Sequence, residues 1–267
     1  MPSEEIKFTK QDTLAVITLD RPEARNALSP EMVTELGRVL QSCRSPDVRA
    51  VLITGAGRAF CAGADVKDFV GQLEEAGPEA LSQHLKKLAG TLHREVIQTI
   101  RQLEKPVVAG INGVAAGAGF SLALACDLRL ASSNARFLMG YANIGCTANG
   151  GSTYMLPRLV GLSKAMEIYT ASQPISADYA HELGLVNQVF PSEGFERHAL
   201  ETITRLSQGP TLAYGRVKAL FDQAWTVSLE AQLDAETEAI SNIGLTRDFQ
   251  EGIKAFTQKR QPWFQGY

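Results

Sequence analysis

Long apolar runs are missing from this chain: no stretch approaches the roughly twenty residues that span a hydrocarbon layer, so no membrane-crossing helix is expected. Charge of one sign is missing too. A formal net charge of −3, with lysines and arginines scattered over 267 residues, offers neither a nucleic-acid face nor a polybasic membrane patch. Cysteine and histidine are scarce, with four of each. Cys43, Cys61, Cys126 and Cys146 show no CxxC or His-paired spacing, which leaves no metal signature, and nothing in the chain signals secretion. A reduced, cytoplasmic protein is the expectation, with the cysteines as small buried hydrophobes. Cys61 and Cys146 fall near the inferred ligand pocket, but no neighbouring base or positive field is visible to activate either thiol.

Apolar residues and glycine are plentiful. A hydrophobic content of 45% over 267 residues is ample for one core with a small appended helical piece, divided here as 1–198 and 199–267. The most informative stretch is KPVVAGINGVAAGAGFSLALACDLRLAS, Lys105–Ser132. Val107–Ile111 reads as a strand covered on both faces, and Gly113 ends it. Gly117 and Gly119 let the backbone bend, so that amides near Ala118 can face a ligand at the start of a helix over Phe120–Ala125. Free amides and the helix dipole both favour negative charge there. One such turn is weak evidence, because many serve only close helix–sheet packing. A second turn strengthens it: the strand candidate Ala50–Thr54 leads into GAGRAFCAGADVK, Gly55–Lys67. Two turns can aim two amides at one oxygen, the arrangement that stabilises an enolate or tetrahedral oxyanion.

Elsewhere the pattern predicts a strand at Leu14–Leu19 and a helix at Pro30–Ser42 capped by Ser29. Val66–Glu104 reads as a mostly helical insertion. Within it Phe69–Pro78, rich in Gly and Glu, reads as a mobile loop over the pocket, and Leu81–Leu103 carries apolar residues at helical spacing. Pro106 marks the start of the central strand. Beyond Ser132 come a short strand around Phe137, a glycine-rich loop, and helices near Leu162–Ala171 and Ala177–Leu183. The final third reads as helical throughout, with periodic segments at Glu193–Gln208, Leu212–Thr226 and Leu229–Ile243. Repeated strand–helix units predict stacked, mainly parallel sheets with helices outside.

These residues resemble the enoyl-CoA hydratase/isomerase, or crotonase, superfamily almost from end to end. The resemblance is carried by RPEARNALS (Arg21–Ser29), RAFCAGADVK (Arg58–Lys67), KPVVAGINGVAAGAG (Lys105–Gly119) and LALACDLRLAS (Leu122–Ser132). LPRLVGLSKAMEI (Leu156–Ile168), ISADYAHELGLVNQV (Ile175–Val189) and EGIKAFTQKRQPWF (Glu251–Phe264) extend it. It implies an α/β fold, the crotonase-like spiral of stacked β-β-α units with a helical C-terminal trimerisation region, assembled as a homotrimer or homohexamer. It also implies an acyl-CoA thioester substrate, with coenzyme A as part of that substrate and no separate cofactor or metal. The amides of Ala64 and Ala118 would form the oxyanion hole. The adenine would lie near Ala24, Arg25 and Ala27, with Arg25 either meeting a phosphate or remaining a solvated loop charge. Ala62 and Ala64, with Asp65 adjoining, would serve the pantetheine and thioester. Phe256 and Lys259 match positions that close over the nucleotide, often from a neighbouring subunit, although Lys259 equally reads as an exposed helix-end cation.

Proton handling is where the resemblance thins. Family hydratases use two glutamates for general acid/base work, and those positions align here with Ser121 and Tyr141. Serine and tyrosine of ordinary pKa are poor bases, which disfavours an efficient two-glutamate hydratase. Family isomerases and dehalogenases more often place one carboxylate in a loop resembling IGLVPDSGGT. This chain reads IGCTANGGST, Ile144–Thr153, with Asn149 at the carboxylate's position. An amide can bond a substrate or position water, but it is no base. The Asn149–Gly150 step is also prone to deamidation, which would create a carboxylate. His93, on the helix before the central strand, has a side chain suited to proton transfer, or is a partly buried helix histidine bonded to backbone. His84, His181 and His198 read as helix-surface residues. Asp68, Glu74 and Glu75 read as solvated charges that reach the pocket only if the insertion folds over it. Three classes stay open. The first is an enzyme working through a CoA-thioester enolate, by double-bond isomerisation or specialised hydration, or in a dehalogenase/hydrolase mode on an aromatic acyl-CoA. The second is an acyl-CoA-binding protein that has lost catalysis, and the third a structural role in a larger assembly. The two turns favour the first class and the missing glutamates the second.

Overall fold

The computed structural model describes residues 5–267. Strands β1 (Ile6–Gln11) and β2 (Leu14–Leu19) form a hairpin at the edge of a six-stranded sheet. It continues through β3 (Ala50–Gly55), β5 (Val107–Ile111), β7 (Leu128–Ser132) and β10 (Gln188–Phe190), all parallel to β2. A second, four-stranded sheet holds β4 (Ala59–Cys61), β6 (Val114–Ala116), β8 (Arg136–Leu138) and the antiparallel β9 (Ile175–Ser176). Three times the chain runs along the first sheet, crosses into the second and returns through a helix. These passages are β3–β4 into α2 (Val66–Thr91), β5–β6 into α4 (Ala118–Ala125), and β7–β8 into α5 (Ser152–Val160).

Alternation along the strands explains why the large sheet is buried on both sides. Val51, Ile53, Val107, Ala109 and Ile111 join the main core with α1 (Pro30–Ser42) and α4, whereas Leu14, Leu52 and Val108 face α8 (Phe195–Ser207). Period-two side-chain direction makes that division automatic. Helix α8 answers with Phe195, Ala199 and Ile203, spaced four apart on one stripe. Helix α1 starts where its local signals place it: Ser29 Oγ accepts from Met32 N at 2.9 Å and Pro30 takes the first turn.

The predicted mobile loop at Phe69–Pro78 is instead part of α2. Its backbone leaves helical geometry only at Gly77, with φ of 83°, and Pro78 starts the helix afresh. Glu74 and Glu75 are exposed on its solvent side, so glycine and glutamate here mark a helix face rather than a loop. His84, expected as a plain surface residue, is half-buried with Nε2 at 2.6 Å from Asp68 Oδ2, and that pair holds the insertion's first turns together. After α2 the chain widens into a π-helical turn, Leu92–Ile97, then α3 (Gln98–Gln102). Further elements absent from the sequence-based reading are β1, β4, β6, β7, β9, β10 and α5.

Helices α6 (Leu162–Ala171) and α7 (Ala177–Glu182) lead to β10 and α8. Beyond them lie α9 (Thr211–Gln223), α10 (Leu229–Gly244) and α11 (Arg247–Thr257), the last absent from the sequence-based reading. The division at 198/199 falls inside α8, which packs on the sheet. Polar ties fasten the C-terminal helices and tail to the core: Lys218 Nζ donates to Ile100 O at 2.6 Å and Asp127 Oδ2 at 2.9 Å. Arg49 donates to Thr211 Oγ1 and Phe264 O, each at 3.0 Å.

Candidate active site

Two backbone turns meet at the ends of β4 and β6. At the first, Asn26 sits fully buried in a left-handed conformation (φ 57°) and donates to Ala56 O and Ala59 O at 2.9 and 2.8 Å. That clamps the first motif onto the β3–β4 crossing. Arg21 braces the same loop, donating to Ala27 O at 2.7 Å and Asp65 Oδ2 at 3.1 Å. Asp65 also caps α2 through Lys67 N, so its carboxylate is engaged in holding the turn. Leu28 N donates to Gly63 O and Asp65 N to Leu28 O. The Ala64 amide between them donates to nothing among the described residues.

The second turn bends at Gly117 (φ 50°), whose amide donates to Leu138 O at 2.9 Å, and α4 begins at Ala118. The Ala118 amide is the helix's first, so no carbonyl of its own helix can accept from it. Glycine permits the two turns to touch backbone to backbone. A β-carbon on Gly63 would lie 2.9 Å from Ala116 O and 3.5 Å from Ala118 N, and one on Gly119 would lie 2.3 Å from Cys61 O. The backbones on either side of Ala64 and Ala118 are thus packed against each other, with α4's positive end beside them.

All four side-chain candidates gather beside these turns. Ser121, one turn along α4 and fully buried, lies 3.0 Å from Tyr141 Oη and 3.2 Å from Gly117 O, and its one hydroxyl proton serves one of those two acceptors. Tyr141 Oη donates to Asn149 Oδ1 at 2.9 Å. Gly150 N donates to His93 Nε2 at 3.0 Å, so His93 is held with its Nδ1 as the protonated nitrogen. Gly150 (φ 62°) wedges in where a β-carbon would meet Ser121 Cβ at 2.7 Å. Burial pushes the Tyr141 hydroxyl up to about 12, against the bond from Ser121, so near neutral pH it is a fixed donor and no base. Burial, with Arg94 close by, lowers the His93 imidazole below its ordinary value, keeping it neutral. Among the described residues no carboxylate is bonded to this cluster.

Thiol chemistry has no support. Burial drives Cys61 and Cys126 to about 12 and Cys43 to about 11, and only Cys146 is partly exposed.

For the nucleotide end, Ala24 and Arg25 stand at the rim of the first turn. Arg25 is left-handed (φ 51°) and exposed, and its carbonyl accepts from Ala62 N at 3.0 Å. Ala27 is buried beneath it. Phe256 and Lys259 are not brought to that rim within one chain. Helix α11 packs through the C-terminal tail near Arg49, at the start of β3, whereas the first motif is clamped past its end. Phe256 is 85% exposed.

The anchors Arg21 and Asn26 escaped the sequence reading, whereas His93 is the partly buried helix histidine bonded to backbone that it carried as an alternative. A buried asparagine in a turn flanked by motif residues was the available signal for Asn26.

Residues 9–267 match the profile of the family described as Enoyl-CoA hydratase/isomerase. The chain is 36% identical to the 1,2-epoxyphenylacetyl-CoA isomerase of Escherichia coli (strain K12), covering 94% of each chain. It is 34% identical to the 2,3-dehydroadipyl-CoA hydratase of the same organism, covering 98% of this chain and 99% of the other. The crystal structure of an enoyl-CoA hydratase from Polaromonas sp. JS666 superposes with a TM-score of 0.90 at 37% identity, over 97% and 99% of the two chains.

Proposed function

Because the chain belongs to the enoyl-CoA hydratase/isomerase family, the crotonase superfamily, we propose that it is an enzyme that stabilises the enolate of an acyl-CoA thioester between the Ala64 and Ala118 amides. The close packing of the two turns that carry those amides, neither of which has an acceptor among the described residues, is the observation that supports this reading. The thioester oxygen accepts from both as negative charge develops on it, and dipoles fixed in advance need no reorganisation at that moment. Removing one such donor typically costs on the order of 10²–10³ in kcat.

Double-bond isomerisation suits the remaining groups better than hydration. Shifting a double bond needs one proton moved between two carbons, whereas hydration needs an activated water and an acid together. Ser121, Tyr141 and Asn149 form a closed donor chain that can hold a water or an acyl group, with Tyr141 fixed as donor. Coenzyme A enters as part of the substrate, with no further cofactor. Its adenine and phosphates lie along Ala24, Arg25 and Ala27, and its pantetheine along Ala62, Ala64 and the Asp65 turn. Phe256 and Lys259 reach that nucleotide from a second copy of the chain in a homotrimer or homohexamer, a reading supported by the exposure of Phe256 in the single chain. A reducing, cytoplasmic setting suits four cysteines free of disulfides. Among the described residues no helix is long and apolar enough to cross a membrane.

The test is mass spectrometry of 2-enoyl, 3-enoyl and aromatic CoA thioesters incubated with the protein in heavy water. Deuterium uptake with interconversion of the 2-enoyl and 3-enoyl thioesters, separated by chromatography, identifies isomerisation, and a water-sized mass gain identifies hydration. Tight binding with no exchange in any thioester overturns the enzyme and leaves an acyl-CoA carrier.

A further inference from the structure

We infer that Asn149 is a self-modifying residue: the fold holds a base on the Gly150 nitrogen and a donor on the Asn149 side-chain oxygen, the two groups that close an Asn–Gly step to a succinimide and convert the amide to a carboxylate. His93 Nε2 accepts from Gly150 N at 3.0 Å, and Tyr141 Oη donates to Asn149 Oδ1 at 2.9 Å. Both groups are also in the protonation state the step needs, His93 neutral and Tyr141 protonated. Asn149 Nδ2 makes no hydrogen bond among the described residues, so nothing holds back the leaving group.

Each group has one task. His93 takes the proton from Gly150 N, that nitrogen attacks Asn149 Cγ, and a C–N bond forms. Charge on Oδ1 is met by the Tyr141 hydroxyl, as in any oxyanion step. The imidazolium returns its proton to Nδ2, the Cγ–Nδ2 bond breaks, and ammonia leaves. Water then opens the succinimide. Attack at Cγ gives aspartate and restores the backbone, while attack at the Asn149 main-chain carbonyl gives isoaspartate. The balance is one amide plus one water to one carboxyl group plus ammonia, with no oxidant or reductant. Gly150 is required on steric grounds, since a β-carbon there would collide with Ser121 Cβ at 2.7 Å. His93 reaches the nitrogen because the helix widens into a π turn over Leu92–Ile97, a feature that recurs at functional sites.

The functional consequence rests on the enolate reading of the site. A carboxylate at position 149, bonded to Tyr141, is an anionic proton acceptor, which no other group of the cluster supplies.

The test tracks the peptide containing residues 149–150 by mass spectrometry after incubating the folded full-length chain near neutral pH, in ordinary and oxygen-18 water. The expected result is a gain of about 1 Da in ordinary water and about 3 Da in heavy-oxygen water, at least about tenfold faster than in the urea-unfolded chain. His93→Gln keeps an acceptor for Gly150 N but removes the base, and should slow the conversion at least about tenfold. Should that variant not fold, Tyr141→Phe provides the second reading, since it removes the donor on Oδ1. An amide that persists in the folded chain while the unfolded chain converts overturns the inference, as does a rate indifferent to both variants. Assaying Asn149→Asp on the enoyl-CoA panel separates the two ideas. Turnover by Asn149→Asp with a persistent amide in the parent chain keeps the enzyme and discards the self-modification. Conversion without turnover in either protein keeps the self-modification and discards the enolate reading.

Discussion

Cys146, three residues before Asn149, and His93, bonded to Gly150 N, respond to solvent in different ways. Cys146 is partly exposed, while Cys43, Cys61 and Cys126 are buried, with thiols pushed to about 11, 12 and 12. The thiolate is the reactive form, so iodoacetamide at neutral pH should alkylate Cys146 at least about a hundredfold faster than the other three. Peptide mapping over time checks this, and a second cysteine labelled at a comparable rate would contradict it. His93 sets a pH dependence. Its folded pKa lies below the ordinary imidazole value because burial disfavours the cation. The unfolded chain therefore takes up the proton first as pH falls. Stability is unaffected by His93 above its unfolded pKa, declines as pH drops through that value, and levels off once the folded form is protonated too. A protonated ring also loses the lone pair that accepts from Gly150 N. Urea unfolding of the parent chain and His93→Gln across this range should show the steeper acid loss in the parent, the other histidines cancelling in the comparison. Parallel curves would mean that His93 titrates as it does in the unfolded chain.

The contact between the two amide turns exists because glycine stands at Gly63 and Gly119, where a side chain would meet backbone rather than a movable group. Gly119→Ala must push α4 away from Cys61 O, and Gly63→Ala must separate Ala64 from Ala118 while also straining a φ of 103°. Each change should lower kcat on the active thioester by on the order of 10²-fold with a smaller effect on KM, since the lost interaction is strongest in the transition state. Circular dichroism verifies the fold, and a KM effect larger than the kcat effect would show that the turns serve binding alone. These turns were legible from sequence because glycine, strand and helix signals sit side by side in Lys105–Ser132. Helix α1 was legible to the residue for the same reason, its cap and its proline being local. Strands β4, β6 and β8 were harder, since three residues show no alternation and their pairing comes from distant segments. Helix α2 was misjudged between Phe69 and Pro78 because composition suggested a loop, whereas only Gly77 departs from helical geometry. Ser121, Tyr141, Asn149 and His93 could be nominated one at a time. Their joining into one chain of hydrogen bonds depends on contacts 57 residues apart, which no local pattern encodes.

At the scale of the whole molecule, the helices after Ser207 face two ways. Lys218, with Arg101 and Asp127, pins α9 to the core through buried charge-assisted bonds, so the helical region is held rigidly. Its outer side nevertheless exposes Phe221, Trp225, Leu229, Ile240, Leu245 and Phe256, each more than half accessible in the single chain. So many large apolar residues on adjoining helices mark an interaction surface, and polar-rimmed patches of this kind typify protein–protein contacts. A second copy of the chain satisfies both this surface and the separation of Phe256 and Lys259 from the nucleotide rim. Sedimentation should therefore show a trimer or a multiple of three. Leu229→Glu, on the exposed face of α10 and away from the pins of α9, should weaken that assembly, because a buried interface carboxylate without a partner costs several kcal/mol. If a neighbour's Phe256 and Lys259 close over the nucleotide, the dissociated variant should bind acyl-CoA at least about tenfold more weakly while keeping its circular dichroism spectrum. Phe256→Ala, left assembled, should show a comparable loss of affinity through KM. A folded monomeric variant with undiminished acyl-CoA affinity would place the whole nucleotide site within one chain and assign Phe256 and Lys259 to some other contact.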